Sequence, residues 1–169
     1  MYKRQLYTAD FNLLAVGLFF TVQETAHLVM RPIGGRFGDR VGYLAAINTG
    51  YLVLVVGLSL LPYATAHVEL LAIAVVIGAG QGLIFPSTVA FVSRCVDTRH
   101  LGAGMGFLGA VRNFGKVAGP LMAGALLTRM DYSQVFHLGG AVALLVVLTL
   151  LLLQKNYLEW IFSRTKLTN

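Results

Sequence analysis

Five apolar runs, each close to twenty residues and joined by short polar links, dominate this 169-residue sequence. They cover roughly 11–33, 44–63, 70–93, 101–127 and 135–153. An α-helix needs about 20 mainly apolar residues to cross a bilayer. In lipid every backbone polar group must find its partner within the protein, so these runs are expected to be helices. A membrane barrel would show alternating segments of about ten residues, and the sequence has none. The expected fold is therefore all-α, a polytopic membrane helix bundle of about five transmembrane helices. Composition agrees: 57% of the residues are hydrophobic and 12% charged, against about 25% charged in soluble domains. A soluble enzyme, a disordered chain and a nucleic-acid-binding module are excluded on this ground. The expected surroundings are a lipid bilayer, with no nucleic acid.

The basic surplus, Lys+Arg 13 against Asp+Glu 7, sorts by position. Arg31, Arg36 and Arg40 follow the first run, Arg94 and Arg99 the third, and Lys155, Arg164 and Lys166 the fifth. Arg129 stands on the opposite side once Met1-Tyr2-Lys3-Arg4-Gln5 is set aside. Those five residues match the translation of a sequencing-adapter end and read as a library scar; a genuine short basic N-terminus is the alternative. Links rich in Lys and Arg stay on the cytoplasmic side of a membrane. The links 34–43 and 94–100 and the tail 155–169 are thus expected in the cytoplasm, with the helices in a bacterial inner membrane. Tyr157, Trp160 and Phe162 among polar neighbours fit an interfacial tail, and a disordered tail fits as well.

The stretch Arg31-Pro32-Ile33-Gly34-Gly35-Arg36-Phe37-Gly38-Asp39-Arg40-Val41-Gly42 carries the most information. It resembles the Gly-x-x-x-Asp-Arg-x-Gly loop of the major facilitator superfamily, matched by Gly35, Asp39, Arg40 and Gly42. Tyr43 and Leu44 stand where that family usually has basic residues. The resemblance implies a cytoplasmic gating loop in which Asp39 latches onto Arg40 or Arg36. On the residues alone, an aspartate that caps a helix and balances local charge remains open. A second stretch, with Gly115, Gly119, Pro120 and Gly124, resembles the family's Gly-x-x-x-Gly-Pro-x-x-Gly-Gly pattern, Ala123 replacing one glycine. Small residues let spanning helices approach closely, so it implies a helix-packing seam, with Gly102 and Gly106 in the same run.

In the third run, Gly78 precedes Gln81-Gly82 where the first half of many such transporters has an arginine. That difference, the degenerate loop and the C-terminal tail favour the last five of twelve helices, in the C-terminal half. The Gly-Pro seam, best known from the fifth helix of the first half, points the other way. The implied function is transport of a small solute by alternating access between two halves. Five helices form at most one wall of that pathway. The missing N-terminal helices of the same transporter are therefore expected partners, and the chain alone is expected to transport nothing. A complete five-helix protein acting as a regulatory or partner subunit is the alternative.

Ionisable residues inside apolar runs are costly and mark function by default. Glu24, His27 and Arg31 follow one another at helical spacing with Gln23 alongside, and Arg112 and Lys116 lie one turn apart. One reading makes Glu24 and His27 a proton-coupling pair, histidine being suited to proton exchange. Arg112 and Lys116 then contact an anionic substrate or neutralise Glu24. The other reading is a set of ion pairs that fix helix packing. No nucleophile–base arrangement, metal-ligand spacing or nucleotide loop is visible, so no enzyme activity, cofactor or metal is expected. His67, His100 and His137 are isolated, and Cys95 lies in an expected cytoplasmic link.

Overall fold

The computed structural model describes the backbone of residues 13–167 and the side chains of 14–153. The segment read as a scar and the aromatic side chains of the tail lie outside these. Five long helices follow one another: α1 (Leu13–Val41), α2 (Tyr43–Leu60), α3 (His67–Cys95), α4 (Leu101–Leu127) and α5 (Tyr132–Leu167). Short 3-10 turns at Leu61–Tyr63 and Thr98–His100 end α2 and lead into α4. Tyr43–Tyr63, His67–Cys95 and Tyr132–Leu153 are long and apolar enough to cross a membrane on composition alone. In α1 and α4 the apolar sequence is interrupted by the ionisable residues noted above.

Hydroxyl side chains are absorbed by the helices themselves. Thr21, Thr25, Thr49, Thr88 and Thr149 each donate to the carbonyl four residues earlier, which satisfies the hydroxyl without water. At the start of α3 the Glu69 carboxylate accepts the backbone N–H groups of Thr65 and Ala66 at 2.8 and 3.1 Å, relieving donors that a helix N-terminus leaves orphaned. Large apolar side chains point outward from every helix. On α4 Phe107, Phe114, Leu121 and Met122 are all mostly exposed, a surface suited to lipid or to further helices.

The expected loop 34–43 is corrected by the structure. α1 runs unbroken to Val41, and one residue, Gly42, separates it from α2. Gly34, Gly35 and Gly38 do not break the helix. At Gly34 and Gly38 the small size is consumed by close packing on α3, which outweighs the roughly 0.5–1 kcal/mol helix penalty of glycine, whereas a Cβ at Gly35 would meet only Pro86 Cβ at 4.0 Å. The break falls where φ is 94° and ψ 143°, a region essentially confined to glycine. Gly42→Ala is expected to destabilise the helix pair by about 1–3 kcal/mol, read as a lower midpoint of SDS-induced unfolding in bicelles.

α3 is the central helix, packed extensively on α1 and α2, while α2 also packs on α5. α4 touches α3 and α5 only slightly. Contacting positions ascend together in α1 and α3 (Gln23 with Gly78, Gly34 with Leu83, Gly38 with Ser87), so these two helices run in the same direction. Gly57 meets Ile77 whereas Gly50 meets Ile84, so α2 runs opposite to α3. The tightest approaches are glycine against backbone. A Cβ at Gly34 would overlap the Gly82 carbonyl oxygen, and one at Gly78 would overlap that of Gln23. Pro86 has no N–H to offer the Gly82 carbonyl four residues earlier, which leaves that oxygen to Gly34. Leu61, Leu70, Ile73 and Ile77 form the buried core, with Phe19, Leu54, Ala64 and Phe136 against it.

Candidate functional site

Two rows of side chains at four-residue spacing oppose each other across the α1–α3 contact. Gln23, His27 and Arg31 come from α1; Gln81 and Phe85 come from α3. Residues four apart share a helix face, and the parallel run of the two helices brings the rows into register. The Gln23 amide donates to Gln81 Oε1 at 3.2 Å. The His27 ring meets Phe85 edge-on with centroids 6.2 Å apart. The Arg31 guanidinium lies over the same phenyl ring, its Cζ 4.7 Å from the centroid. Arg112 reaches that ring from α4, its Cζ at 4.5 Å. Contacts of this kind are worth about 0.5–1 kcal/mol when exposed and about 2 when desolvated.

His27 is held from both sides. Its Nδ1 stands 3.3 Å from Glu24 Oε2, and Arg31 Nε donates to its Nε2 at 3.4 Å. One neutral tautomer satisfies both contacts, with the proton on Nδ1 and the lone pair on Nε2. Adding a second proton turns Nε2 into a donor and sets it against the Arg31 N–H.

Depth follows from helix arithmetic. Arg31 stands ten residues before the end of α1, Phe85 ten before the end of α3, and Arg112 eleven after the start of α4. At about 1.5 Å per residue all three lie roughly 15 Å from the same end of the bundle, and so level with one another. The continuation of α1 to Val41 thus places Arg31 further from the helix end than a loop starting at Gly34 implies. Glu24 is 65% exposed and His27 12%; Arg112 is exposed as well. Charged groups at such depth cannot face lipid cheaply, so this open side of α1 and α4 is a face for a polar pathway or for further protein. The cavity lined by Ala15, Leu18, His67, Leu70 and Leu71, at about 30 Å³, has room for a water and none for a solute.

The second group lies at the α1–α2 junction. Asp39 Oδ1 accepts the Tyr43 hydroxyl at 2.8 Å, and the Arg94 guanidinium from the end of α3 stacks on the Tyr43 ring at 4.9 Å. Neither Arg36 nor Arg40 is within ion-pair distance of Asp39 among the described residues. Nor does Asp39 cap α2, whose N-cap is Gly42 without a side-chain bond. Tyr43, the departure from the family pattern, thus takes the carboxylate and passes it to a cation on another helix. Gly38 makes room for this: a Cβ there would stand 3.1 Å from Tyr43 Cδ1 and 2.8 Å from Ser87 Oγ.

Of the expected site residues, the structure gathers Gln23, Glu24, His27 and Arg112 in one neighbourhood, together with Arg31. Lys116 makes no described contact with them. Gly115, Gly119 and Gly124 face open space, nothing among the described residues coming within 4 Å of a Cβ added there. Tight glycine packing is found instead at Gly34, Gly78 and Gly82 between α1 and α3, and at Gly50 and Gly80 between α2 and α3. Phe85 and Arg94 are the contributors that sequence reading passes over. Phe85 falls four residues after Gln81, and that spacing is the signal that marks it. Among the described residues no cluster of His, Cys, Asp or Glu is placed to hold a metal.

Known proteins resemble this chain in sequence. The uncharacterized MFS-type transporter Rv1250 of Mycobacterium tuberculosis is 30% identical over 124 residues, 71% of this chain and 21% of the relative. Multidrug resistance protein MdtG is 24% identical in Salmonella heidelberg and 25% in Escherichia coli K12, over 145 residues in each case. Those alignments take in 85% of this chain and 36% of the relatives. The chain therefore spans about a fifth to about a third of the length of these curated relatives. The family model described as Major Facilitator Superfamily matches residues 5–166. With five helices, the Asp39 junction and this match over nearly its whole length, the chain belongs to the major facilitator superfamily.

Proposed function

We propose that this chain is part of a transporter that moves a small solute across a membrane by alternating access, coupled to protons through Glu24 and His27. The observation that carries the reading is the hydrogen-bonded row Glu24–His27–Arg31 midway along α1, open on one side. Such a row has no use in a lipid-facing helix and a direct one beside a polar pathway. A proton on His27 Nε2 displaces Arg31, which links the proton to a change in charge distribution at mid-depth. Relatives named for multidrug resistance favour small organic molecules as the cargo. Asp39, Tyr43 and Arg94 act at the helix ends as the gate, holding α1, α2 and α3 together in one state and separating in the other.

Gly78 in α3 and the altered Asp39 loop support placement in the C-terminal half, the remaining helices of the transporter covering the open face of α4 with its Gly115–Gly119–Pro120–Gly124 seam. Because α1 and α3 run in the same direction, Arg36, Arg40, Arg94 and Arg99 gather at one end, which the positive-inside rule makes cytoplasmic. The C-terminus then also lies in the cytoplasm, and a bacterial inner membrane is the setting.

Two measurements test this. In proteoliposomes of the transporter containing this chain, Glu24→Gln is expected to lower flux driven by a pH gradient at least tenfold while sparing solute exchange without a gradient. Unchanged gradient-driven flux overturns the proton pathway. Exposed Cys95 reports the orientation: an impermeant maleimide applied to intact cells should leave it unlabelled, and labelling reverses the assignment.

A further inference from the structure

We infer that Arg31 and Arg112, both seated on Phe85, form a two-guanidinium clamp for a small organic anion, such as an aromatic carboxylate; this rests on the transport reading above. The two cations come from different helices and converge on one ring. Neither has a carboxylate within ion-pair distance among the described residues, where the ion pair is that of Glu24 with His27. With their Cζ atoms 4.7 and 4.5 Å from one ring centroid, the like charges repel, and the π face of Phe85 compensates only in part. Arg31 commits its Nε–H to His27, and the other guanidinium N–H groups of both arginines form flat forks that match a carboxylate.

Charge balance selects the class of ligand. Two guanidiniums, the Lys116 ammonium one turn from Arg112 and the Glu24 carboxylate sum to two positive charges with His27 neutral, and an anion lowers that net charge in a medium where charge is costly. Arg112 is exposed on the open side of the bundle, so a ligand can reach it. Lys116 lies a turn away and joins none of these contacts, so the clamp uses Arg31 in its place.

The test uses the transporter containing this chain in phosphatidylcholine nanodiscs, with radiolabelled benzoate as probe and benzamide as its uncharged counterpart in equilibrium dialysis. Saturable benzoate binding at least tenfold tighter than benzamide is expected. Arg31→Gln and Arg112→Gln should each weaken it at least tenfold, and Arg112→Lys, which keeps the charge and loses the fork, should fall between. Arg129→Gln should leave it unchanged. In the unaltered chain, where folding is not in question, benzenesulfonate should displace benzoate and benzyltrimethylammonium should not. Absence of benzoate binding, equal binding of benzamide, or indifference to both glutamine variants overturns the clamp. A flux arm with the whole transporter separates the two readings. Transport of uncharged solutes that survives both glutamine variants, without benzoate binding, removes the clamp and keeps transport. Benzoate binding with no flux of any solute removes transport and keeps the clamp.

Discussion

Gly34→Ala is expected to destabilise the bundle by about 3 kcal/mol, the upper range for overpacking a tight contact. The sign is the informative part. Glycine inside a helix is worse than alanine by about 0.5–1 kcal/mol, so an uncrowded position would gain stability from this change. At Gly34 the new methyl group would overlap the Gly82 carbonyl oxygen and stand 2.9 Å from Leu83 Cα. Both are backbone atoms of α3, which cannot rotate aside as a side chain can. Gly115→Ala provides the contrast, because nothing among the described residues lies within 4 Å of its Cβ. In this chain it is expected to be neutral or slightly stabilising. Midpoints of SDS-induced unfolding in bicelles measure both, and a Gly34→Ala midpoint at or above that of the unaltered chain would show that α1 and α3 do not meet there.

Asp39→Ala is expected to abolish transport by the complete transporter while leaving membrane insertion intact. The carboxylate accepts the Tyr43 hydroxyl at 2.8 Å, and hydrogen bonds to charged groups are worth about 1.5–3 kcal/mol. If that bond exists in one gate state only, its loss shifts the equilibrium between states by about tenfold to a hundredfold. Tyr43→Phe keeps the ring under Arg94 and removes only the hydroxyl, so an intermediate loss of flux is expected. Flux in proteoliposomes, normalised to inserted protein, decides between outcomes; normal flux in Asp39→Ala falsifies the latch.

The five helices were legible because lipid imposes a single rule, internal satisfaction of the backbone, and apolar length alone reports compliance. Where helices end was less legible. Gly34, Gly35 and Gly38 look like a loop in sequence, yet the missing side chains of Gly34 and Gly38 are used for contact with α3, a demand that exists only once two helices are side by side. The glycines of α4 carry the same local signature and meet nothing in this chain, so a small-residue pattern identifies a capacity for close approach and not the partner. The candidate site was half legible. Helical spacing on α1 groups Gln23, His27 and Arg31, but spacing within one helix cannot say that Arg112, eighty-one residues later, arrives at the same phenyl ring. Asp39 was legible as a junction residue, and its partner was not, since the expected arginines lie on its own helix and the cation it reaches through Tyr43 lies on α3.

The single-residue connection at Gly42 also sets the kinematics of the helix pair. Its N–H bonds back to Gly38 at 2.9 Å and its carbonyl accepts from Ala46 at 3.0 Å, so both neighbouring helices are anchored on one residue. One residue spans about 3.8 Å, less than one helical turn of about 5.4 Å. α1 therefore cannot ratchet past α2 by a turn without unwinding one of them. The low-energy motion left to the pair is a pivot about Gly42. α3 and α4 are joined by the five residues Val96 to His100, a connection longer than one helical turn of about 5.4 Å when extended. Any rearrangement of this bundle is in consequence hinged at one end of α1 and free to slide only at the other connections.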